Sequence, residues 1–503
     1  MDYDIIVIGS GAGGGTAAWA LSRGGKRVLL LERGPRFEDP EAMQDEAETL
    51  IRMRPYENRD IWMNEKRRRL YVGGVSGGGT SLYGAALLRP SPEDFHPGRY
   101  YSRYIPRQQW DWPIAYDDLA PYYEQAEDLY GVAASAADPL LHLGQREKPF
   151  PQQPDPLVPI SKWIARGVQR RGYHPFRLPL AIDRATCLRC PSCPGYLCPT
   201  GARASSLNRC IDPAIRDHGL EVWNDTEAER LLYQRNGSTD ARVTGVRVTR
   251  NGETREVTAE KVVVAAGAIG TPVLLTRSSL GARSGQLGRN YMYHDGGIAA
   301  GVYYHPTGAG DKFGKQIGFT DLYFGTSEFP FKLGYAQVLP VPGPKTIQAM
   351  LPFPLPDRVA RWAHARIITL AGSVEDLPQA TNRIQLRRNG SIIINHKFHP
   401  FDRLRSNFYK REVTKIMYAA GAQFVVGATG EADETHTAHQ VGTARFGTDP
   451  EFAVLDRNNR IYGTQNAYVV DGSFMPTSLG VGPALTIIAN SLRVSDHILG
   501  EGA

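Results

Sequence analysis

The spacing of apolar residues at the N-terminus predicts a strand, a helix and a second strand in quick succession. Residues 3–8 read as a buried strand, residues 15–23 carry a helical pattern, and residues 27–31 form a second apolar run. A third apolar strand, residues 261–267, leads directly into another helical pattern. Strands that alternate with helices are typical of a sheet covered by helices, so the pattern predicts an α/β fold.

Apolar runs elsewhere predict further strands but no membrane span. Residues 366–370, 382–386 and 391–395 are short runs bounded by turn residues, which indicates strands. The longest apolar stretch, residues 262–276, is interrupted by two glycines and a proline and is too short to cross a bilayer. No signal peptide pattern precedes the first strand, so we expect a cytoplasmic protein.

Length and charge narrow the class of protein. A chain of 503 residues is long enough for two intergrown domains or one large α/β domain. Its 58 basic residues are interspersed with 52 acidic ones, and the run Lys66–Arg69 is too short for a nucleic-acid surface. We therefore expect no nucleic-acid partner.

The glycines after the first strand have the spacing of a dinucleotide-binding loop. Gly9, Gly11 and Gly14 form G-x-G-x-x-G between strand and helix, and Glu32 ends the second strand 23 residues after Gly9. The helix N-terminus faces the diphosphate, and Glu32 accepts hydrogen bonds from a ribose. This motif alone fits either FAD or NAD. The predicted cofactor contacts here are Gly9, Gly11, Ala12, Gly14, Glu32 and Arg33.

Residues 72–84 are unusually rich in glycine. A flexible loop is the simplest interpretation, but the flanking Tyr71, Leu82, Tyr83 and Leu87 favour a backbone packed against a flat ligand. A second strand-to-helix turn with small residues follows residues 261–267. The cofactor contacts predicted in these two segments are Gly74, Gly78, Gly79, Thr80, Ala266 and Gly267.

The order of these motifs resembles the glucose–methanol–choline oxidoreductase family. The resemblance covers the first glycine motif, residues 73–84, the segment 267–275, the Leu-Gly-Arg-Asn-Tyr-Met-Tyr-His run at 287–294 and the block 436–498. It implies a Rossmann-like FAD-binding domain, a substrate domain built on an antiparallel sheet, and oxidation of a C–OH group by hydride transfer to flavin N5. Residues 73–84 contain no histidine for a covalent link, so the resemblance implies non-covalent FAD.

The resemblance also implies a domain division. The FAD-binding domain would comprise residues 1–88, 205–296 and 421–503. The substrate domain would comprise residues 89–204 and 297–420, including a cysteine-rich segment at 187–210. Within it, the predicted strands at 366–370, 382–386 and 391–395 fit the antiparallel sheet.

The segment 437–447 resembles the part of the family that carries its catalytic histidine. His439 would accept the proton of the substrate hydroxyl, a role that suits a side chain that titrates near neutral pH. His436 is a weaker candidate, and His294 would have a structural or supporting role. By the same resemblance, Asp471 and Gly472 lie beside the FAD diphosphate, and Pro483 and Ala484 open a helix whose N-terminus points at the flavin.

At position 482 the sequence departs from the family pattern. The family usually has a second catalytic residue, Asn or His, before this proline, and here it is Gly482. Another residue such as His436 could replace it, or backbone groups and water could suffice. A third interpretation is weak catalysis, including a subunit that binds FAD and transfers electrons without oxidising alcohols.

All five cysteines lie between Cys187 and Cys210. The spacing of Cys187, Cys190, Cys193 and Cys198 is similar to the ferredoxin pattern, with a last spacer one residue longer. Four thiolates also suit tetrahedral zinc, and two disulfides are a third alternative. We predict a metal site, with zinc and an iron–sulfur cluster both left open.

The substrate and the electron acceptor are less constrained. Aromatic residues concentrate between 313 and 353, and we expect most of them to be core. Aromatic faces with polar residues nearby also suit the C–H surfaces of sugars. The segment 480–487 resembles bacterial members that oxidise pyranoses or glycosides. We therefore favour a secondary alcohol of a sugar or glycoside over a hydrophobic sterol or terpenoid alcohol. Oxygen, a quinone and a redox protein all remain as acceptors.

Overall fold

The N-terminal strand–helix–strand unit forms where the apolar pattern predicts it. The structure is a computed structural model that describes residues 1–190, 193–235, 237, 240–310, 313–351, 353–430 and 438–501. The helix begins at Ala12 instead of residue 15. Its first turn contains glycines, which are poor helix formers but allow the close backbone packing described below.

Strands and helices are interspersed along the described part of the chain. The strands are β1 (Tyr3–Ile8), β2 (Val28–Leu31), β3 (Ile61–Met63), β4 (Lys66–Arg68), β5 (Phe176–Arg177), β6 (Glu221–Trp223), β7 (Thr226–Gln234), β8 (Arg242–Arg250), β9 (Glu253–Val264), β10 (Asp295–Val302), β11 (Ile317–Phe319), β12 (Ala336–Leu339), β13 (Ile367–Val374), β14 (Arg383–Leu386), β15 (Ile392–Asn395), β16 (Phe424–Thr429) and β17 (Ala467–Val469). The α-helices are α1 (Ala12–Arg23), α2 (Gly98–Tyr101), α3 (Tyr116–Tyr130), α4 (Pro159–Arg170), α5 (Asp212–His218), α6 (Gly267–Arg277), α7 (Pro344–Met350), α8 (Asp357–His364), α9 (Pro400–Ala419) and α10 (Ala484–Gly500).

The first sheet has the order β6-β2-β1-β9-β8-β7, with β17 also paired to β9. Strands β6, β2, β1, β9 and β17 run parallel, whereas β7, β8 and the first half of β9 form an antiparallel meander. Both faces of the parallel part are buried, which explains why β1 and β2 read as continuous apolar runs. This sheet confirms the predicted Rossmann-like α/β class.

The second sheet is antiparallel and has the order β16-β10-β13-β12-β11-β5. Helix α9 packs against β10, β13 and β16. The predicted strand at 366–370 belongs here, as β13. Strand β16 also belongs here, although residues 421–503 are assigned to the FAD-binding domain by the sequence. It is an edge strand with mostly exposed or half-buried side chains, so its apolar pattern does not reveal its partner.

A third, four-stranded sheet has the order β14-β15-β3-β4. The predicted strands at 382–386 and 391–395 are β14 and β15, and they pair with each other and with β3 instead of joining the large antiparallel sheet. The prediction of one substrate-domain sheet for all three runs is therefore wrong. Hydrophobic periodicity identifies strands but does not select among distant partners.

Candidate active site

A cleft follows the carboxyl ends of β1, β2 and β9, where parallel strands of such sheets place ligand sites. Its walls combine the two predicted glycine segments with the start of α6. The lining includes Gly9, Ser10, Gly11, Glu32, Arg33, Glu57, Arg59, Gly73, Gly78, Gly79, Thr226, Ala266, Gly267, Gly270 and Gln440. Because Gln440 lines the cleft, the segment that contains His439 lies next to it.

The first glycine loop has the close backbone packing that its sequence predicts. Gly9 has a φ of +99°, a conformation that favours glycine. A Cβ atom at Gly14 would lie 1.8 Å from the carbonyl oxygen of Gly9, so only glycine allows α1 to approach β1 this closely. A Cβ atom at Gly11 or Gly79 would instead meet nothing within 4 Å. These two backbones are therefore open to a ligand.

Glu32 is held by the first glycine loop. Its carboxylate accepts hydrogen bonds from the backbone N–H of Ser10 at 2.9 Å and from the Ser10 hydroxyl at 2.5 Å. The Gly34 N–H donates to its other oxygen at 2.6 Å. Glu32 is thus fixed at the end of β2, at the position where this fold binds a ribose.

A buried carboxylate organises two arginines at the same end of the cleft. Glu57 accepts hydrogen bonds from Arg33 at 2.8 Å and from Arg59 at 2.7 Å. Burial opposes ionisation, but Arg59 and Arg33 together lower the pKa of Glu57 to about 2. Glu57 is therefore ionised, and it fixes two guanidinium groups that line the cleft. Their positive charge suits an anionic ligand.

Asp471 supports the cleft without lining it. Its side chain accepts hydrogen bonds from the Gly267 N–H at 3.0 Å, the Thr271 hydroxyl at 2.5 Å and the Ser473 N–H at 2.8 Å. Burial raises the pKa of Asp471, although these hydrogen bonds act in the opposite direction. Asp471 thereby ties the first turn of α6 to the loop that follows β17.

His439 lies beside a second histidine. The Nδ1 atoms of His294 and His439 are 2.8 Å apart, and the other ring nitrogen of His294, Nε2, lies 3.0 Å and 2.9 Å from the carbonyl oxygens of Ser478 and Leu479. His439 is half-buried. Burial, then His294 and Lys315, lower the pKa of His439 well below its usual value, so the ring is neutral at pH 7.

Position 482 lies directly beside the Nε2 atom of His439. A Cβ atom at Gly482 would be 3.3 Å from His439 Nε2. A side chain at this position would therefore begin next to His439 Nε2. With glycine, that space stays available to a substrate.

Lys315 is a buried lysine that the sequence does not single out. It is 6% exposed, and its Nζ donates a hydrogen bond to the Gly84 carbonyl, at the end of the second glycine segment, at 3.3 Å. No carboxylate among the described residues forms an ion pair with it. Burial lowers the pKa of Lys315 to about 8. Because it also lowers the pKa of His439, it contributes positive potential at that histidine.

Comparisons with known proteins identify the family of this chain. Models of the GMC oxidoreductase family match residues 3–295 and residues 378–491. The chain is 30% identical over 514 residues to 6'''-hydroxyparomomycin C oxidase of Streptomyces lividus, covering 99% of this chain and 91% of that one. It is 28% identical over 537 residues to paromamine 6'-oxidase of Streptomyces fradiae, covering 99% and 92%.

The chain belongs to the GMC oxidoreductase family. It is accordingly an FAD-dependent oxidoreductase of CH–OH groups, as the resemblance implies. Two solved structures share the GMC fold. Pyridoxine 4-oxidase from Mesorbium loti has a TM-score of 0.72 at 18% identity and covers 98% of both chains. A formate oxidase variant from Aspergillus oryzae RIB40 has a TM-score of 0.69 at 16% identity, covering 99% of this chain and 98% of that one.

The cleft described above is lined by half of the residues predicted to contact FAD. The predicted residues that line it are Gly9, Gly11, Glu32, Arg33, Gly78, Gly79, Ala266 and Gly267. Others support it from outside: Gly14 packs α1 on β1, and Asp471 anchors α6. For Ala12, Gly74, Thr80, Gly472, Pro483 and Ala484, contact with the cofactor stays a prediction. His436 lies outside the described residues.

The four clustered cysteines line one small cavity of about 20 Å³, together with Arg203 and Phe313. Backbone N–H groups donate to Cys187 Sγ at 3.3 Å and to Cys198 Sγ at 3.5 Å. All five cysteines are free thiols, with Cys210 buried separately against Tyr130. In the described part of the chain no group of three or more potential ligands is arranged to hold a metal ion. Metal binding by Cys187, Cys190, Cys193 and Cys198 stays a prediction.

Most aromatic residues between 313 and 353 are core, as the sequence predicts: Phe319, Tyr323 and Tyr335 are at most 2% exposed. A sugar-binding role for the others stays a prediction.

None of the described helices has both the length and the apolar character needed to cross a bilayer.

Proposed function

We propose that the enzyme oxidises a hydroxyl group of a sugar or glycoside, with His439 as the base. The observation that carries the proposal is the Nε2 atom of a neutral, half-buried His439, which lies beside Gly482 and has no hydrogen-bond partner among the described residues, next to the cleft that Gln440 lines. A neutral imidazole can accept a proton, and the missing side chain at 482 leaves room for the carbinol group.

The residues of the cleft fit FAD. The open backbones of Gly11 and Gly79, the carboxylate of Glu32 and the guanidinium groups of Arg33 and Arg59 suit a diphosphate and a ribose. FAD, when bound, supplies the acceptor for the hydride. Residues 72–84 offer no histidine, so we infer non-covalent binding.

Residues of the chain accept the proton of the substrate hydroxyl and stabilise the charge that remains on the oxygen. As the substrate loses its hydroxyl proton to His439 Nε2, negative charge develops on the substrate oxygen. The Lys315 ammonium stabilises that charge, because it is buried, has no carboxylate partner among the described residues and acts on the same region as His439. Lys315 would thus supply the polar contact that Gly482 lacks.

The relatives support a sugar hydroxyl, since two of them are oxidases of paromomycin-type aminoglycosides. The name of one relative specifies the 6' position, which is a primary hydroxyl in a hexopyranose, whereas the sequence favours a secondary hydroxyl. A panel of paromamine, methyl glucoside and a long-chain alcohol, mixed anaerobically with holoenzyme, distinguishes these substrates. We expect paromamine or the glycoside to bleach the flavin. Bleaching by the long-chain alcohol alone would contradict the sugar proposal, and bleaching by none would favour an electron-transfer subunit.

The base is tested by replacement. We expect His439→Ala to retain its flavin but to slow bleaching about 10²–10⁴-fold, the usual contribution of a base. His218→Ala, which removes an exposed histidine at the end of α5, is the matched control and should leave the rate unchanged. A rate in His439→Ala equal to that of the control would remove His439 from the mechanism.

A further inference from the structure

The two active-site histidines form a chain of hydrogen bonds that ends on the protein backbone. Starting from the base, His439 Nδ1 contacts His294 Nδ1 at 2.8 Å, and His294 Nε2 contacts Ser478 O at 3.0 Å and Leu479 O at 2.9 Å. The rings meet edge to face, with an angle of 79° between their planes. Because carbonyl oxygens only accept hydrogen bonds, the chain has a direction.

That direction assigns the protons. His294 Nε2 faces two acceptors, so it carries a hydrogen. A neutral His294 then has an unprotonated Nδ1, which accepts. His439 Nδ1 must therefore donate, and the lone pair of a neutral His439 lies on Nε2, the atom that faces Gly482.

The surroundings keep both rings neutral. Burial lowers the pKa of His294, with Lys332 acting in the same direction while the two carbonyls and Glu375 oppose it. Burial, His294 and Lys315 lower the pKa of His439. The opposite arrangement, with hydrogen on His439 Nε2, would require a charged His294, which this environment disfavours.

Backbone strain marks the same residues. His439 has a φ of 68° and Leu479 a φ of 64°, both in the left-handed region that side chains other than glycine rarely adopt. Such conformations cost on the order of 1–3 kcal/mol each and persist where the surrounding structure requires them. Here one orients the base, and the other orients a carbonyl that accepts from His294.

We propose that His294 is a positioning residue that fixes the tautomer of His439, so that Nε2 always presents a lone pair to the substrate hydroxyl. The proposal rests on the proposed role of His439 as base. When Nε2 takes up the hydroxyl proton, His439 becomes an imidazolium that still donates from Nδ1 to His294. The carbonyls of Ser478 and Leu479 then stabilise the positive charge through His294.

The tautomer can be measured without substrate. Nitrogen-15 NMR of holoenzyme labelled at its 12 histidines distinguishes protonated Nδ1 from protonated Nε2, and His439→Ala identifies the His439 signals. We expect wild-type His439 to carry hydrogen on Nδ1 and His294 to carry it on Nε2. Hydrogen on Nε2 of His439 would overturn the proposal, whatever the substrate proves to be.

Two variants separate positioning from structural support. In His294→Asn, the amide oxygen takes the place of Nδ1 and still accepts from His439. In His294→Gln, the amide nitrogen takes the place of Nε2 and still donates to the two carbonyls, but no acceptor faces His439. We expect His294→Asn to bleach with substrate within about tenfold of wild type. His294→Gln should lose about 10²–10⁴-fold and show His439 hydrogen on Nε2, as when a triad histidine adopts the wrong tautomer.

If His294 had only a structural role, His294→Gln would bleach faster than His294→Asn, since Gln preserves the hydrogen bonds to the backbone carbonyls. Equal losses in both variants, with an unchanged His439 tautomer, would refute positioning. If wild-type enzyme bleaches with none of the substrates, the NMR arm still decides the tautomer, so failure of the proposed function remains distinguishable.

Discussion

Two lysines are buried in the part of the chain that the structure describes, and their surroundings are opposite. Lys332 is 2% exposed and lies between two carboxylates, with its ammonium 2.6 Å from Asp94 and in contact with Glu375. Although burial opposes it, these carboxylates raise the pKa of Lys332 above its usual value. Lys315 is equally buried but has only the Gly84 carbonyl among the described residues, and its pKa is lowered to about 8.

The difference separates a lysine whose charge is neutralised within the fold from one whose charge we propose to act on the substrate. Lys332 also lies within 5.6–5.9 Å of the rings of Tyr100, Tyr101 and Tyr323, and it joins Glu375, at the end of β13, to the segment around Asp94. The positive charge of Lys332 is therefore neutralised by carboxylates within the fold. The charge of Lys315 is not neutralised by the described residues, so it remains available to a substrate.

The largest expected effect is on stability, from Lys332→Met. Removing the ammonium leaves Asp94 and Glu375 buried beside each other, and breaking a buried pair in this way costs about 3–5 kcal/mol. Denaturant unfolding at saturating FAD measures the change. The control is Lys415→Met, which breaks an ion pair of a half-exposed lysine with Glu412 and should cost at most about 1 kcal/mol. Similar losses in both variants would mean that burial does not distinguish Lys332.

Lys315→Met should have the opposite profile. Its stability should equal or exceed that of wild type, because an unpaired buried charge is removed. Bleaching by substrate should slow about 10²-fold at pH 7, the usual effect of losing one group that stabilises an oxyanion. Unchanged bleaching would remove Lys315 from the mechanism.

The pH dependence sharpens this test. The pKa of Lys315 is about 8 when folded and 10.5 in an unperturbed lysine, so between these values the unfolded chain binds more protons. Wild-type stability relative to Lys315→Met should therefore rise with pH across that window. The wild-type bleaching rate should fall as pH rises through 8, whereas the rate of Lys315→Met should not.

The smallest effect is expected at position 482. If Lys315 already supplies the polar contact, Gly482→Asn should not accelerate bleaching. Its Cβ would lie 3.3 Å from His439 Nε2, in the space proposed for the carbinol, so we expect a loss of about tenfold. Gly482→Ala adds the Cβ atom without the amide group, so it measures the effect of crowding alone. An increase in rate with Asn would show that glycine is a deficit and that Lys315 does not replace the missing residue.

The sequence predicts the cofactor half of the molecule better than the catalytic half. Gly9, Gly11 and Glu32 act within one strand–helix–strand unit, where spacing along the chain determines position in space. His294, Lys315 and His439 come from three distant segments and are brought together by the antiparallel sheet and the loops around it. Nothing in the spacing of Lys315 distinguishes it from other lysines, because its signal is burial, which only the folded chain reveals. Strand β16 is missed for a related reason, since its partner β10 lies far away in sequence.

The contact of Lys315 with Gly84 has a consequence for the evolution of the family. A Cβ atom at position 84 would lie 2.1 Å from Lys315 Nζ, so any larger residue there would displace the ammonium. The two positions are therefore coupled: a side chain at 84 would force the flexible end of Lys315 to move, and the ammonium would leave its present place beside the Gly84 carbonyl. Related chains that keep glycine at the position equivalent to 84 can hold the ammonium there, and comparing the two positions across relatives would test whether they change together.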